Sequence, residues 1–140
     1  LLVRDVMATQ LVTIAHDAPI EQAAVLLEAH RISGLPVLQD GQLAGIVTIT
    51  DLLRTFIGFL GAREGGVRVT VEVPDEPGVL ARVAQAAPPN NIHAAVTSGV
   101  LPGATRHLVL RVKEPDAAAY ATRLADAGVQ LLDVREEVPT

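Results

Sequence analysis

Along residues 67–73 the chain alternates without a break: Val67, Val69, Val71 and Val73 fall between Arg68, Thr70 and Glu72. A period of two places all four valines on one face, the mark of a half-buried strand. After Pro77 and Gly78 the period changes. Val79, Leu80, Val83, Ala84 and Ala87 recur at helical spacing, and Pro88-Pro89 ends that helix. Residues 92–98 and 107–113 read as strands joined across Pro102-Gly103. Residues 115–127 form an Ala-rich helix with Gly128 in the position that closes helices, and residues 129–138 make a last strand. The order is βαββαβ, the ferredoxin-like arrangement.

The first half reads as βαββα behind an N-terminal extension. Residues 11–14 are a short strand. Asp17 offers a helix cap, with Pro19 in the first turn and Ile20, Ala23, Ala24 and Leu27 as the apolar stripe. Ser33-Gly34 stops this helix near Arg31. Residues 35–38 and 43–48 are strands around Asp40-Gly41, a strong hairpin signal. A closing helix starts at residues 48–51 and presents Leu52, Leu53, Phe56, Ile57 and Leu60. Four glycines in residues 58–66 mark a joint. The division expected is 1–60, a linker at 61–66, and 67–140, in an α+β chain without an internal repeat.

Composition narrows the function. Modules of this size bury a modest fraction of their surface, so pairing with a second copy is expected. One Tyr and two Phe leave little aromatic mass, which argues against stacking platforms for single-stranded nucleic acid. The net charge of −5 is shared by both halves and no basic stripe is present, so no nucleic-acid partner is expected. Zero cysteines remove thiolate catalysis and Cys-ligated zinc and fit a cytoplasmic protein. No apolar run approaches the ~20 residues that span a bilayer, and no membrane partner is expected. The first residue is Leu rather than Met, which leaves room for a longer parent chain.

Residues 45–51 carry the most information: a hydrophobic strand ends in Thr48, and Thr50 and Asp51 open a helix. Helix N-termini attract anions, the Thr48 hydroxyl can donate to a phosphate, and the Asp51 carboxylate can accept both hydroxyls of a ribose. The same Thr48-x-x-Asp51 is also a capping box with Asp in place of Glu. His30 and Arg31 at the preceding helix end bring cationic groups near, although Arg31 alone reads equally as a solvated helix terminus. Together, Val3 to Met7, Val12-Thr13-Ile14, residues 30–36, Asp40-Gly41 and residues 45–51 resemble a CBS motif over residues 3–57. The resemblance implies an adenosyl ligand such as AMP, ADP or ATP held between paired motifs. It places Thr48 near phosphate or ribose, Asp51 on the ribose, and Thr13, Ile14 and Pro36 around the adenine. Only one motif is present, so either two chains supply one each or a first motif belongs to a longer parent.

In the second half, Asp75-Glu76-Pro77-Gly78-Val79-Leu80 links a strand to a helix. Pro77 presets the turn, Gly78 permits close backbone approach, and the following N–H groups can hold a carboxylate; a plain turn explains the hexapeptide equally. With Asn91 opening the next strand, residues 67–138 resemble an ACT domain. Such domains bind amino acids at this loop across an interface between two copies. The resemblance implies backbone groups at Pro77, Gly78, Val79 and Leu80 for the carboxylate, Asp75 or Glu76 for the ammonium, and Asn91 as a side-chain contact. Val73-x-Asp75 stands where serine-binding members carry His-x-Asn, so serine is not implied. The succession of the two motifs resembles the bacterial acetoin-utilisation CBS–ACT proteins.

Catalysis finds no support. His16, His30, His93 and His107 lack metal-ligand spacing, no P-loop, Gly-x-Ser-x-Gly elbow or dinucleotide fingerprint occurs, and Tyr120 and Phe56 read as core or interface. The expectation is a non-catalytic regulatory homodimer without cofactor or metal, sensing small-molecule effectors. Two alternatives stay open at this point: a purely structural dimerisation module, and an enzyme with a constellation that no motif reveals.

Overall fold

The computed structural model describes residues 1–87, 89–99, 102–113 and 116–138. They form two compact units, Leu1–Phe56 and Ile57–Thr140. The elements are β1 (Ile14–Ala15), α1 (Ile20–His30), β2 (Gly34–Gln39), β3 (Gln42–Thr48), α2 (Ile49–Phe59), β4 (Gly66–Pro74), α3 (Val79–Ala84), β5 (Ile92–Thr97), β6 (Thr105–Val112), α4 (Ala117–Asp126) and β7 (Gln130–Glu137). The mixed α+β reading and the order of elements stand.

In the first unit β1, β2 and β3 make a three-stranded sheet in that order. The Asp40-Gly41 turn has φ of 51° and 77°, the left-handed pair that a two-residue hairpin requires. Its core is small: Ile14, Ala23, Leu27, Leu35 and Leu52 are buried. Two expectations are corrected. The strand read over residues 11–14 shrinks to Ile14–Ala15, because the parallel pairing with β2 engages only Val37 and Leu38. Asp17 does not cap α1; the helix starts after Pro19, whose carbonyl accepts from the Gln22 N–H at 3.0 Å, and Pro19 precedes the first turn.

In the second unit the sheet order is β5-β6-β4-β7. β4 sits inside the sheet, antiparallel to β6 and β7, which is the ferredoxin-like topology. Val67, Val69, Val71 and Val73 are all buried, with Val83, Leu108, Leu110, Val112, Tyr120 and Leu124. The opposite face of the sheet is ionic: Arg68 meets Asp133 at 3.3 Å and Arg111 meets Glu137 at 2.8 Å. α3 is shorter than its apolar pattern, ending at Ala84, and residues to Ala87 continue as turns. Leu80 and Ala84 therefore lie exposed, while Ala86 and Ala87 complete the buried face. The expected helix stop at Pro88 and helix start at Pro115 lie outside the described residues. α4 is capped by Asp116, whose carboxylate accepts from the Ala118 and Ala119 N–H groups. At the glycine-rich joint α2 runs through Gly58 to Phe59, and β4 begins at Gly66.

Candidate functional site

β3 ends and α2 begins at Thr48, and the two readings of Thr48-x-x-Asp51 meet there. The Asp51 N–H donates to Thr48 Oγ1 at 3.3 Å, while Asp51 Oδ2 accepts from the Thr48 N–H at 3.0 Å and from its hydroxyl at 2.6 Å. This is a complete capping box. Its hydrogen bonds, first the Thr48 hydroxyl and then its N–H, lower the Asp51 pKa, and the nearby Arg54 guanidinium adds to the effect. The second oxygen, Oδ1, stays outside the box, 3.6 Å from Arg54 Nη1 in a surface pair. One carboxylate thus caps the helix and still offers an oxygen to solvent.

A cavity of about 980 Å³ opens within the same unit, at the upper end of the size of small-molecule pockets. Its walls are the N-terminal segment at Ala8, Gln10, Leu11 and Val12, the α1 face at Ala24, Leu27 and Glu28, and the α2 face at Leu52, Leu53 and Phe56. Arg31, Ser33, Gly34, Pro36 and Ile49 close it at the ends of α1, β2 and α2. The lining is mostly apolar with Gln10, Glu28, Arg31 and Ser33 as polar points, the composition of a ligand pocket.

Of the residues expected around a nucleotide, Arg31 and Pro36 line this cavity. Ile49 connects it in sequence to Thr48, Thr50 and Asp51, which themselves lie outside the lining. Ile14 is buried in the core at the start of β1, while Thr13 before it and His30 at the end of α1 are exposed. Phe56, read as core or interface, is half-buried on the cavity wall. Gln10 and Glu28 were missed, since single polar residues carry no motif. Arg31 holds φ 53°, ψ 41° as it closes α1, a left-handed conformation that costs a side-chain-bearing residue energy.

In the second unit the loop after β4 is already satisfied from within. Asp75 holds Arg106 at 2.6 Å and Glu76 holds Arg82 at 2.8 Å. Gly78 has φ 85° with open space where a Cβ would stand, so the backbone turn itself favours glycine and the space beside it is open. Pro77 and Leu80 are exposed and Val79 is half-buried. Asn91 precedes β5 next to Lys113. Because Ile92 pairs with Val112 and Pro74 with Thr105, Asn91 sits at the opposite end of the sheet from Asp75, roughly 30 Å away along the strands. One chain does not bring these residues together.

Comparison with known families agrees with the fold. Residues 65–135 match the model of the TTHA0829-like ACT domain, and residues 3–58 match that of the CBS domain. The chain belongs to the TTHA0829-like ACT family, with a CBS domain ahead of it. The CBS segment is 39 % identical over 54 residues to the CBS domain-containing protein YhcV of Bacillus subtilis, covering 38 % of this chain and 39 % of that protein. It is 44 % identical over 52 residues to the inosine-5'-monophosphate dehydrogenase of Thermoplasma acidophilum, covering 37 % of this chain and 10 % of the enzyme. The chain therefore spans well under half the length of these relatives. A solved CBS-domain protein from Burkholderia ambifaria, assigned to signal transduction, shares 28 % identity and a TM-score of 0.39, covering 40 % of this chain and 41 % of that one. The two family models do not single out the acetoin-utilisation proteins. CBS and ACT domains together give the chain a regulatory role. Among the described residues no helix is long and apolar enough to cross a membrane, and no group of three or more His, Asp or Glu gathers as a metal site would.

Proposed function

We propose that this protein is a non-catalytic sensor whose CBS domain binds an adenosyl ligand of the AMP, ADP or ATP type. The observation that carries the reading is the mostly apolar cavity bordered by Arg31 and Pro36, one residue in sequence from the capping box that leaves Asp51 Oδ1 exposed. An adenine suits the apolar walls. The ribose hydroxyls suit Oδ1, and the phosphates suit Arg31 and the N-terminus of α2. Isothermal titration of AMP, ADP and ATP against the parent and Asp51→Asn tests this. Loss of about tenfold or more in affinity, the worth of a charge-assisted hydrogen bond, supports it; equal affinities reduce Asp51 to its cap.

The partner proposed is a second copy of the chain. β3 is an edge strand with Leu43 and Ile46 exposed at 72 % and 66 %, and apolar patches of this kind are covered in most soluble proteins. β5 is an edge of the other sheet and carries no Lys, Glu or Pro to block pairing. Antiparallel pairing of β5 with β5 of a second copy would bring the second copy's Asn91 to the sheet end that carries Asp75 and Gly78. A shared amino-acid site of the ACT kind follows from that pairing. An incoming ammonium would have to displace Arg106 or Arg82, so the plain dimerisation reading is favoured for this domain unless amino acids shift the NMR resonances of residues 75–80 and 91.

A further inference from the structure

The residues that follow α2 carry a device of their own, contained in the second unit. Leu60 and Gly61 lie on the face of the sheet that bears the Arg111–Glu137 pair. The Arg111 guanidinium donates to the Leu60 carbonyl and is itself gripped by both carboxylate oxygens of Glu137 at 2.8 and 3.4 Å. Gly61, at φ +62°, crosses the bulge of β5 so closely that a Cβ would stand 2.9 Å from His93 Cδ2 and 3.2 Å from Ala94 Cβ. Beneath it, both ring nitrogens of His93 are shut off from solvent and have no hydrogen-bond partner among the described residues. An imidazole carries at least one N–H donor in either protonation state, and burying it unpaired opposes the closed arrangement. Charge-assisted bonding at Leu60 favours closure and the unpaired His93 ring resists it. Opposed contributions at one contact lower the free energy at which it opens locally.

We propose that residues 60–64 are a strap that opens and closes over His93, fastened to the ACT sheet in one state and freed from it in the other. The strap needs no ligand in the CBS domain, so it stands or falls apart from the sensor reading. Hydrogen exchange on the full chain reads it directly. The Gly61 and Ala62 N–H groups donate to the Gly58 and Ile57 carbonyls that precede the strap, and the Glu64 N–H donates to the Gly61 carbonyl within it; their exchange reports its opening.

His93→Leu keeps an apolar body under Gly61 and deletes the unpaired nitrogens; the three amides are expected to exchange about tenfold more slowly, the factor one buried unpaired group represents. Gly61→Ala drives a Cβ into the His93 ring and is expected to accelerate the same amides by at least as much, while Val69 and Leu110 in the core keep the parent rates. Those core amides report whether each variant is folded. Parent-like strap exchange in either folded variant overturns the proposal.

Discussion

Asp51 is the residue on which the sensor reading turns, and its protonation can be followed in the ligand-free protein. The Thr48 hydroxyl and N–H and the Arg54 charge all favour the ionised form. Its folded-state pKa therefore lies below the unfolded value. The capping contribution is complete above the unfolded pKa and is lost as pH falls through the folded one. Urea denaturation at a series of acidic pH values is expected to show a steeper decline for the parent than for Asp51→Asn, and matching slopes would remove Asp51 from the account. Arg31 makes the complementary case. Glycine adopts its left-handed conformation without penalty, so Arg31→Gly is expected to stabilise the fold by about 1 kcal/mol. The same change removes the one Arg on the cavity wall and should weaken ATP more than adenosine. Calorimetry with both ligands separates the effects; equal weakening would leave Arg31 a helix terminus only.

Elements were legible where a single face or turn decided them. The alternation of four valines defines β4 because that strand is central, with neighbours on both sides and helices over one face. Asp40-Gly41 defines the first hairpin through backbone conformation alone. Tertiary pairing overrode the local pattern elsewhere. Residues 11–13 have strand composition, but β2 reaches only Ile14 and Ala15, so Leu11 and Val12 become cavity wall. Thr48 and Asp51 were readable as a pair because a capping box is local. The wall itself was not, since its residues come from four separate segments. Asn91 shows the same limit, as its distance from Asp75 follows from strand direction and not from spacing. The β5 edge offers a test at this scale. Replacing Val96, 37 % exposed on the edge, by Lys places a charge where a second β5 would pair. Light scattering is expected to show the parent as a dimer and Val96→Lys with a larger monomer fraction. An unchanged mass would move the interface elsewhere.

At the scale of the whole molecule the two cores are unequal. Among the described residues the ACT domain buries twelve side chains in one cluster and the CBS domain five. A core of that size gives a module of fewer than 60 residues little margin, and Leu43, Ile46 and Leu53 lie exposed around it. Hydrogen exchange is therefore expected to reveal two levels of protection: Leu27 and Leu35 opening at a lower free energy than Val69 and Leu110. Whatever covers or fills the CBS domain should raise the lower level. A second copy would do so as protein concentration rises, and an adenosyl ligand would do so at fixed protein, by about 2.7 kcal/mol at a hundredfold excess over Kd. The two effects are separable, because one depends on protein concentration and the other on free ligand. If AMP, ADP and ATP all leave the Leu27 and Leu35 amides unmoved while concentration raises them, the CBS domain is an assembly surface and its cavity has another occupant or none.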